Sequence, residues 1–465
     1  MPAWVGPDKL ADASFQERIK DLGTTLVRMP GGSWSSSYDW LACENSEGCE
    51  WSFAARPSDY VGFLAATGLD GMWTVNFNST AQSAASLVAF FNGDVNDQRA
   101  IGRDRNGKDW GTVGTWAALR AAHGHPSPQP VRYWEIGNEV YGAKSDAGPH
   151  CASFGWEDVW TCDGATYVSG DDSHDGYLAF AAAMRAVDPA IRVGAVGIGG
   201  DQGEWSGFGE KVIAGTKGAL DFYVVHDYGF GDTPSESDAL KRPVEAWPKT
   251  LAGTHDELAK TVSGDPVTVA ITEYNMFLYA DADKSAMMSH AIDALYMADT
   301  IGELATNGAK IANQWNIING PGATGSDYGL LNPDSGQPLP QFYALALWSR
   351  FGDHLVPCSV GFDPATTLVA FCGADDSGAL SVLAINKTAE PLDTSINVTG
   401  AVAYDVVADV ASASALDSPT MVYNGAVAAA DLDNSPGRSV GSTESGEVRT
   451  TFDPYSITLL RFSPL

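Results

Sequence analysis

Short apolar runs that alternate with helical segments over the first three quarters of the chain predict an α/β fold with a parallel sheet covered on both faces. Near Gly352 the texture changes to period-two runs rich in Val, Thr and Ala, which predicts an antiparallel β-sandwich at the C-terminal end. A third observation concerns chemistry: several of the apolar runs end in carboxylates, which an ordinary core strand would not tolerate. A (β/α)8 barrel and a doubly wound sheet both fit the alternation. The boundary falls between 351 and 352.

In order along the chain, residues 14–22 have helical apolar spacing and stop at Gly23, and 24–29 reads as a buried strand running into Pro30-Gly31-Gly32. Further strands are expected at 70–76, 131–139, 191–196, 220–228, 267–274 and 309–315. Helices are expected between them at 57–67, 80–91, 116–122, 176–187, 244–259 and 284–306. A helix at 342–351 leads into the sandwich, whose strands are expected at 366–372, 379–386, 394–398, 401–407 and 456–462. This gives seven strands before the sandwich. Either Ala3-Trp4-Val5 is the tail of an eighth, or a native segment ahead of it is missing.

Composition narrows the function. With 27 Lys+Arg against 58 Asp+Glu the formal charge is −31, so neither nucleic acid nor an anionic membrane surface is expected as a partner. Polyanionic uronic-acid glycans are disfavoured for the same reason. No run of about 18 apolar residues occurs. The six cysteines fall into the local pairs Cys43/Cys49, Cys151/Cys162 and Cys358/Cys372, without the C-x2-C spacing of metal sites. Three disulfides are expected, each closing a short loop; about fifteen residues closed is worth roughly 3 kcal/mol. An oxidising, secreted or periplasmic location follows, with the signal peptide absent from this chain. No metal or cofactor is expected.

Two strand ends stand out: Trp134-Glu135-Ile136-Gly137-Asn138-Glu139, and Ile271-Thr272-Glu273-Tyr274-Asn275. Two glutamates at separate strand ends of one barrel are what glycoside hydrolysis needs, one to protonate the leaving oxygen and one to attack the anomeric carbon or activate water. These motifs resemble the retaining glycoside hydrolases of clan A, in which the acid/base follows Asn on strand four and the nucleophile ends strand seven. Within the clan the chain most resembles the family 51 α-L-arabinofuranosidases. Val27-Arg28-Met29-Pro30-Gly31-Gly32 with Tyr38-Asp39-Trp40, Leu119 to Pro126, Val225-His226-Asp227-Tyr228, Gln314-Trp315-Asn316 and Tyr328-Gly329-Leu330-Leu331 carry that likeness.

The resemblance implies a (β/α)8 TIM barrel over 1–351, its first strand short or missing, and a C-terminal antiparallel β-sandwich domain over 352–465. It implies Glu139 as acid/base and Glu273 as nucleophile. Arg28 and Tyr228 would keep Glu273 ionised, Asn138 would donate to the sugar 2-hydroxyl, His226 would orient the nucleophile or the sugar, and Trp315 would offer a sugar platform. The two carboxyl groups should lie about 5–5.5 Å apart. Glu139 should have a raised pKa. Glu135, one layer deeper, is expected to be structural.

The resemblance implies an oligo- or polysaccharide substrate. Ser33, where the family has Asn, and Asn76-Phe77-Asn78-Ser79-Thr80 depart from the pattern beside the sugar. An endo-β-glycanase acting on β-glucan, xyloglucan or xylan is therefore the alternative, and a catalytically silent glycan-binding protein is the alternative of another class. The Gly-rich run from Gly194 to Gly200 lacks the Lys-Ser/Thr of a phosphate loop, and the Asp281/Asp283 and Asp171/Asp172 pairs lack a calcium-loop pattern.

Overall fold

The computed structural model describes the chain except residues 200–204, 206, 217, 262–266, 400–402, 430 and 444–445. Gly200 and residues 401–402 of the expected strand 401–407 thus lie outside the described residues.

Seven strands pair in parallel and in sequence order: β1 (Leu26–Met29), β2 (Asp70–Val75), β3 (Tyr133–Ile136), β4 (Arg192–Val196), β5 (Phe222–Phe230), β6 (Thr268–Phe277) and β7 (Ala309–Gln314). They curl into a nearly closed barrel of the (β/α)8 kind. Met72, Phe222, Val224 and Ala270 fill its interior, while Trp73, Trp134, Tyr223 and Ile271, one residue out of phase, pack beneath the helices. The period of two along each strand produces both layers from one segment. Helices end where the sequence allows: Asp12 caps Ala13–Leu22 by accepting from the Ser14 N–H at 2.8 Å, and Gly23 closes it in the left-handed conformation at φ 64°.

The seam of the barrel runs between β7 and β1. Ala3–Val5 is a 3-10 turn there, not a strand. Among the described residues Met1 lies beside β1 at this seam, its amine donating to the Arg28 carbonyl at 2.6 Å and its carbonyl accepting from the Gly31 N–H at 2.9 Å. Below it a cavity of about 550 Å³ is lined in part by Leu26, Tyr133, Lys310, Ala312 and Trp348.

Other departures have local causes. The helix expected at 244–259 runs over Glu236–Thr261 and carries Pro243 and Pro248 inside it. The segment expected as a helix at 284–306 has a 3-10 turn at Met287–Ser289 and becomes α-helical only at Ala291–Thr306. A helix at Phe208–Thr216 was not expected, since Gly209 and Gly215 weaken its propensity.

Behind the barrel, β8 (His354–Val356), β9 (Leu368–Ala374), β10 (Leu380–Asn386), β11 (Leu392–Asn397), β12 (Tyr404–Ser412), β13 (Val422–Tyr423), β14 (Ala426–Val427), β15 (Arg438–Ser442), β16 (Glu447–Phe452) and β17 (Ser456–Pro464) form the antiparallel sandwich. The large sheet is ordered β14-β13-β12-β17-β10-β9-β8 with β15 also on β12, and β11 pairs with β16 as a second sheet. Strand alternation again serves two cores. Leu383, Ile385, Ile457 and Leu459 join the barrel's core, whereas Ala384, Leu460 and Phe462 pack with Val448 and Phe452 of the small sheet. At this junction the wholly buried Lys387 ammonium pairs with Asp299 at 2.7 Å and also donates to the Leu240 and Pro364 carbonyls.

Disulfides join Cys43 to Cys49, Cys151 to Cys162 and Cys358 to Cys372. Among the described residues no helix is long and apolar enough to cross a membrane.

Candidate active site

Arg28, near the end of β1, is buried and reaches three acceptors across the barrel mouth. Its Nε donates to Glu135 Oε2 at 2.5 Å, Nη1 to Glu273 Oε1 at 2.7 Å and Nη2 to Asn138 Oδ1 at 2.7 Å. A planar guanidinium offers donors in fixed directions, so one residue sets three side chains at once. Glu135 also accepts from Thr74 and Thr272 at 3.1 and 3.0 Å. Burial opposes its charge, but Arg28 and His226 outweigh that and hold its carboxyl down at about 2. This is the structural role expected of it.

Gly137 lets Asn138 and Glu139 follow β3 at the rim. Its φ is 85°, and a Cβ there would lie 2.9 Å from the Val140 side chain. A second local device acts on β6. Neighbouring residues of a strand normally face opposite sides. The β5–β6 register slips between Val225 and His226, so that Ile271 pairs with Val225 but Glu273 with His226, and this irregularity turns both Thr272 and Glu273 toward the polar interior. Tyr228, two residues beyond His226, then donates to Glu273 Oε2 at 2.6 Å.

One oxygen of Glu139, one of Glu273 and a ring nitrogen of His226 lie within 4.8 Å of one another. The spacing would also suit a metal ion, but the adjacent Arg28 guanidinium repels a cation. The two carboxyls differ in their partners. Glu139 accepts from His226 Nδ1 at 2.9 Å, Tyr141 at 3.0 Å and Trp156 Nε1 at 2.6 Å. Glu273 has Arg28 and Tyr228, and His226 Nδ1 is 3.7 Å away. His226 therefore holds Glu139 directly, where the sequence reading had it orient the nucleophile or the sugar; its Nε2 meets Thr272 Oγ1 at 2.9 Å.

The titration of this pair corrects another expectation. Burial would lower the His226 pKa, but Glu273, Glu135 and Glu139 around it push it up to about 10. Burial would raise Glu139, yet the His226, Trp156 and Tyr141 donors hold it below its ordinary value. The expected rise is absent because donors from His226, Trp156 and Tyr141 all favour the charged form of the carboxyl.

Trp315 lies apart from this network, its ring against Gly31 and Gly32. A Cβ on Gly32 would come within 2.5 Å of it, so the Gly-Gly pair is what admits the indole. Trp4 meets its edge at 6.0 Å. Trp40 and Trp73 are core residues, and Trp34 stacks on Trp51 at 4.4 Å.

The loop after β3 contributes residues that sequence reasoning missed: Tyr141, Trp156 and Glu157, the last two inside the Cys151–Cys162 loop. Glu157 is fully buried and accepts from Ser33 Oγ at 2.6 Å, Asn138 Nδ2 at 2.7 Å and Ser36 Oγ at 3.1 Å. Burial and the nearby Glu139 charge push its carboxyl up to about 7. Nothing in a loop Trp-Glu dipeptide, in a chain with 58 acidic residues, marks it out.

Residues 109–229 match the model of the alpha-L-arabinofuranosidase 1 domain. The intracellular exo-alpha-(1->5)-L-arabinofuranosidase 1 of Bacillus subtilis is 24% identical over 431 residues, which cover 84% of this chain and 78% of that protein. The probable alpha-L-arabinofuranosidase C of Aspergillus fumigatus is 22% identical over 61% of this chain, a match that spans about half (54%) of the fungal protein. In fold, the chain is similar to the alpha-L-arabinofuranosidase of Thermotoga maritima, with a TM-score of 0.72 at 18% identity over 98% of this chain and 92% of that one. It is also similar to a family 44 xyloglucanase of Paenibacillus polymyxa, with a TM-score of 0.62 at 13% identity over 95% and 94%.

Proposed function

We propose that this protein, an arabinofuranosidase-like glycoside hydrolase of the clan A, family 51 kind, releases terminal α-L-arabinofuranosyl units from plant cell-wall type oligo- and polysaccharides with retention of configuration. The observation that carries the reading is the close approach of Glu139 and Glu273, within 4.8 Å between oxygens, with separate sets of donors. Retention needs about 5–5.5 Å between carboxyl groups, whereas inversion leaves room for a water at roughly 6.5–9.5 Å.

In this reading Glu273, held by Arg28 and Tyr228, attacks the anomeric carbon while Glu139 protonates the leaving oxygen. The proton comes from the His226–Glu139 contact, passing from Nδ1 to Oε1 and on to the glycosidic oxygen. Glu139, now a base, takes a proton from the water that opens the glycosyl ester. Asn138 donates to the 2-hydroxyl, and Trp315 supplies an apolar face. The work is divided between a catalytic barrel over 1–351 and a sandwich over 352–465.

The test is hydrolysis of 4-nitrophenyl α-L-arabinofuranoside followed by proton NMR. The α-anomer of arabinose should appear first. A β-anomer would overturn retention, and shortening of xyloglucan or β-glucan without arabinoside cleavage would favour the endo-acting alternative. We also place the protein in a secreted or periplasmic setting, on the support of its three disulfides. Thiol-reactive label should find no free cysteine in the unreduced protein.

A further inference from the structure

We infer that Glu157 is a positioning residue for the reaction: it fixes the Asn138 amide so that one N–H of that amide faces the sugar 2-hydroxyl. The inference rests on the proposed function for the identity of the reacting group and goes beyond it in assigning Glu157.

An asparagine amide has one acceptor oxygen and two N–H donors. In Asn138 the oxygen is taken by Arg28 Nη2 at 2.7 Å and one N–H by Glu157 Oε1 at 2.7 Å. Two anchors at opposite ends of the amide fix both which end is nitrogen and the angle of its plane. The second N–H is the donor left for substrate. Arg28 alone would set the first of these and leave the plane free to turn.

Glu157 is itself held for the purpose. Its backbone N–H donates to the Gly142 carbonyl and its carbonyl accepts from the Lys144 N–H, both at 3.0 Å, which ties the disulfide loop down beside Glu139. Among the described residues no cation pairs with its carboxylate; its donors are Ser33, Ser36 and Asn138, all neutral. A carboxyl buried this way is costly, and anchoring a loop does not require one. An acceptor able to take Ser33 and Asn138 on the same oxygen does.

The test compares an aryl glycoside with its 2-deoxy analogue, using whichever glycoside the intact protein cleaves fastest. Glu157→Ala should lose about 30-fold in kcat on the parent glycoside with KM changed less than about threefold, and less than about threefold in kcat on the 2-deoxy analogue, which has no hydroxyl for Asn138 to meet. Glu157→Gln, whose carbonyl can still accept from Asn138, should restore most of the loss. Equal losses on both substrates would make Glu157 a loop anchor and overturn the role. Should Glu157→Ala fail to fold, Glu157→Leu fills the space the carboxyl leaves and reads the same ratio; failure of both to fold also overturns it. If the intact protein cleaves no glycoside, the functional reading falls first, and this role with it.

Discussion

The two glutamates at the barrel mouth sit within 4.8 Å of each other and share a neighbour in His226, yet their surroundings are of different kinds. Glu273 is addressed by Arg28, whose charge is permanent, and by Tyr228. Glu139 is addressed by a histidine, which can give its proton up, and by two neutral ring donors, Trp156 and Tyr141. What separates them is the partner's ability to titrate. A carboxylate held by a fixed charge and a phenol is aimed for attack; one held by an imidazole sits one hydrogen bond from a group able to exchange a proton with it.

That contrast can be broken at three points. Glu273→Ala has the largest expected effect, a loss of more than about 10⁴-fold in kcat, because no covalent route remains. Azide attacking directly should then give a glycosyl azide of inverted configuration, read by NMR. Glu139→Ala should cost less, about 10²–10⁴-fold, and little in forming the glycosyl-enzyme from a substrate with an activated leaving group. Here azide should restore turnover with retained configuration. Exchange of the two outcomes would reverse the roles.

The smallest effect belongs to His226→Asn, and it is one of pH. The folded pKa of His226, about 10, lies above its ordinary value near 6.5. The stability it contributes is therefore full below about pH 6.5 and is lost as pH rises through about 10. The variant should unfold with a weaker pH dependence across that window. Its alkaline limb of kcat/KM should move at least one unit toward acid, since Glu139 must then hold the proton unaided; an unmoved limb would remove His226 from the proton path.

Much of this was legible in the sequence, and the limits are instructive. The β/α alternation located all seven barrel strands because most are apolar on both faces and bounded by turn residues, β7 with Lys310, Asn313 and Gln314 being the exception. Glu139 and Glu273 stood out because a carboxylate at the end of an apolar strand is an exception that needs a cause. The structure brings Arg28, Asn138, His226 and Tyr228 around them and leaves Trp315 at the Gly31–Gly32 rim. Trp156 and Glu157 were invisible because a loop side chain acquires its partner only from the path of the chain. The register slip on β6 was equally hidden: strict alternation would have sent either Thr272 or Glu273 into the helical layer. In the sandwich, β13 and β14, two residues each, are too short to show any period.

The Lys387–Asp299 pair bears on whether the two halves of the molecule are separable parts. Cutting the chain after the barrel would leave the buried Asp299 carboxylate without its ammonium partner and would bare Tyr343, which now stacks on Tyr423, and Trp348, which now meets Phe371. Removing one member of a buried pair typically costs about 3–5 kcal/mol before any of that exposed area is counted. The sandwich is thus no detachable accessory. A lineage that shuffles such halves, or an engineer who grafts this barrel elsewhere, must carry the β10 and β17 faces along, and melting should erase both halves in one transition.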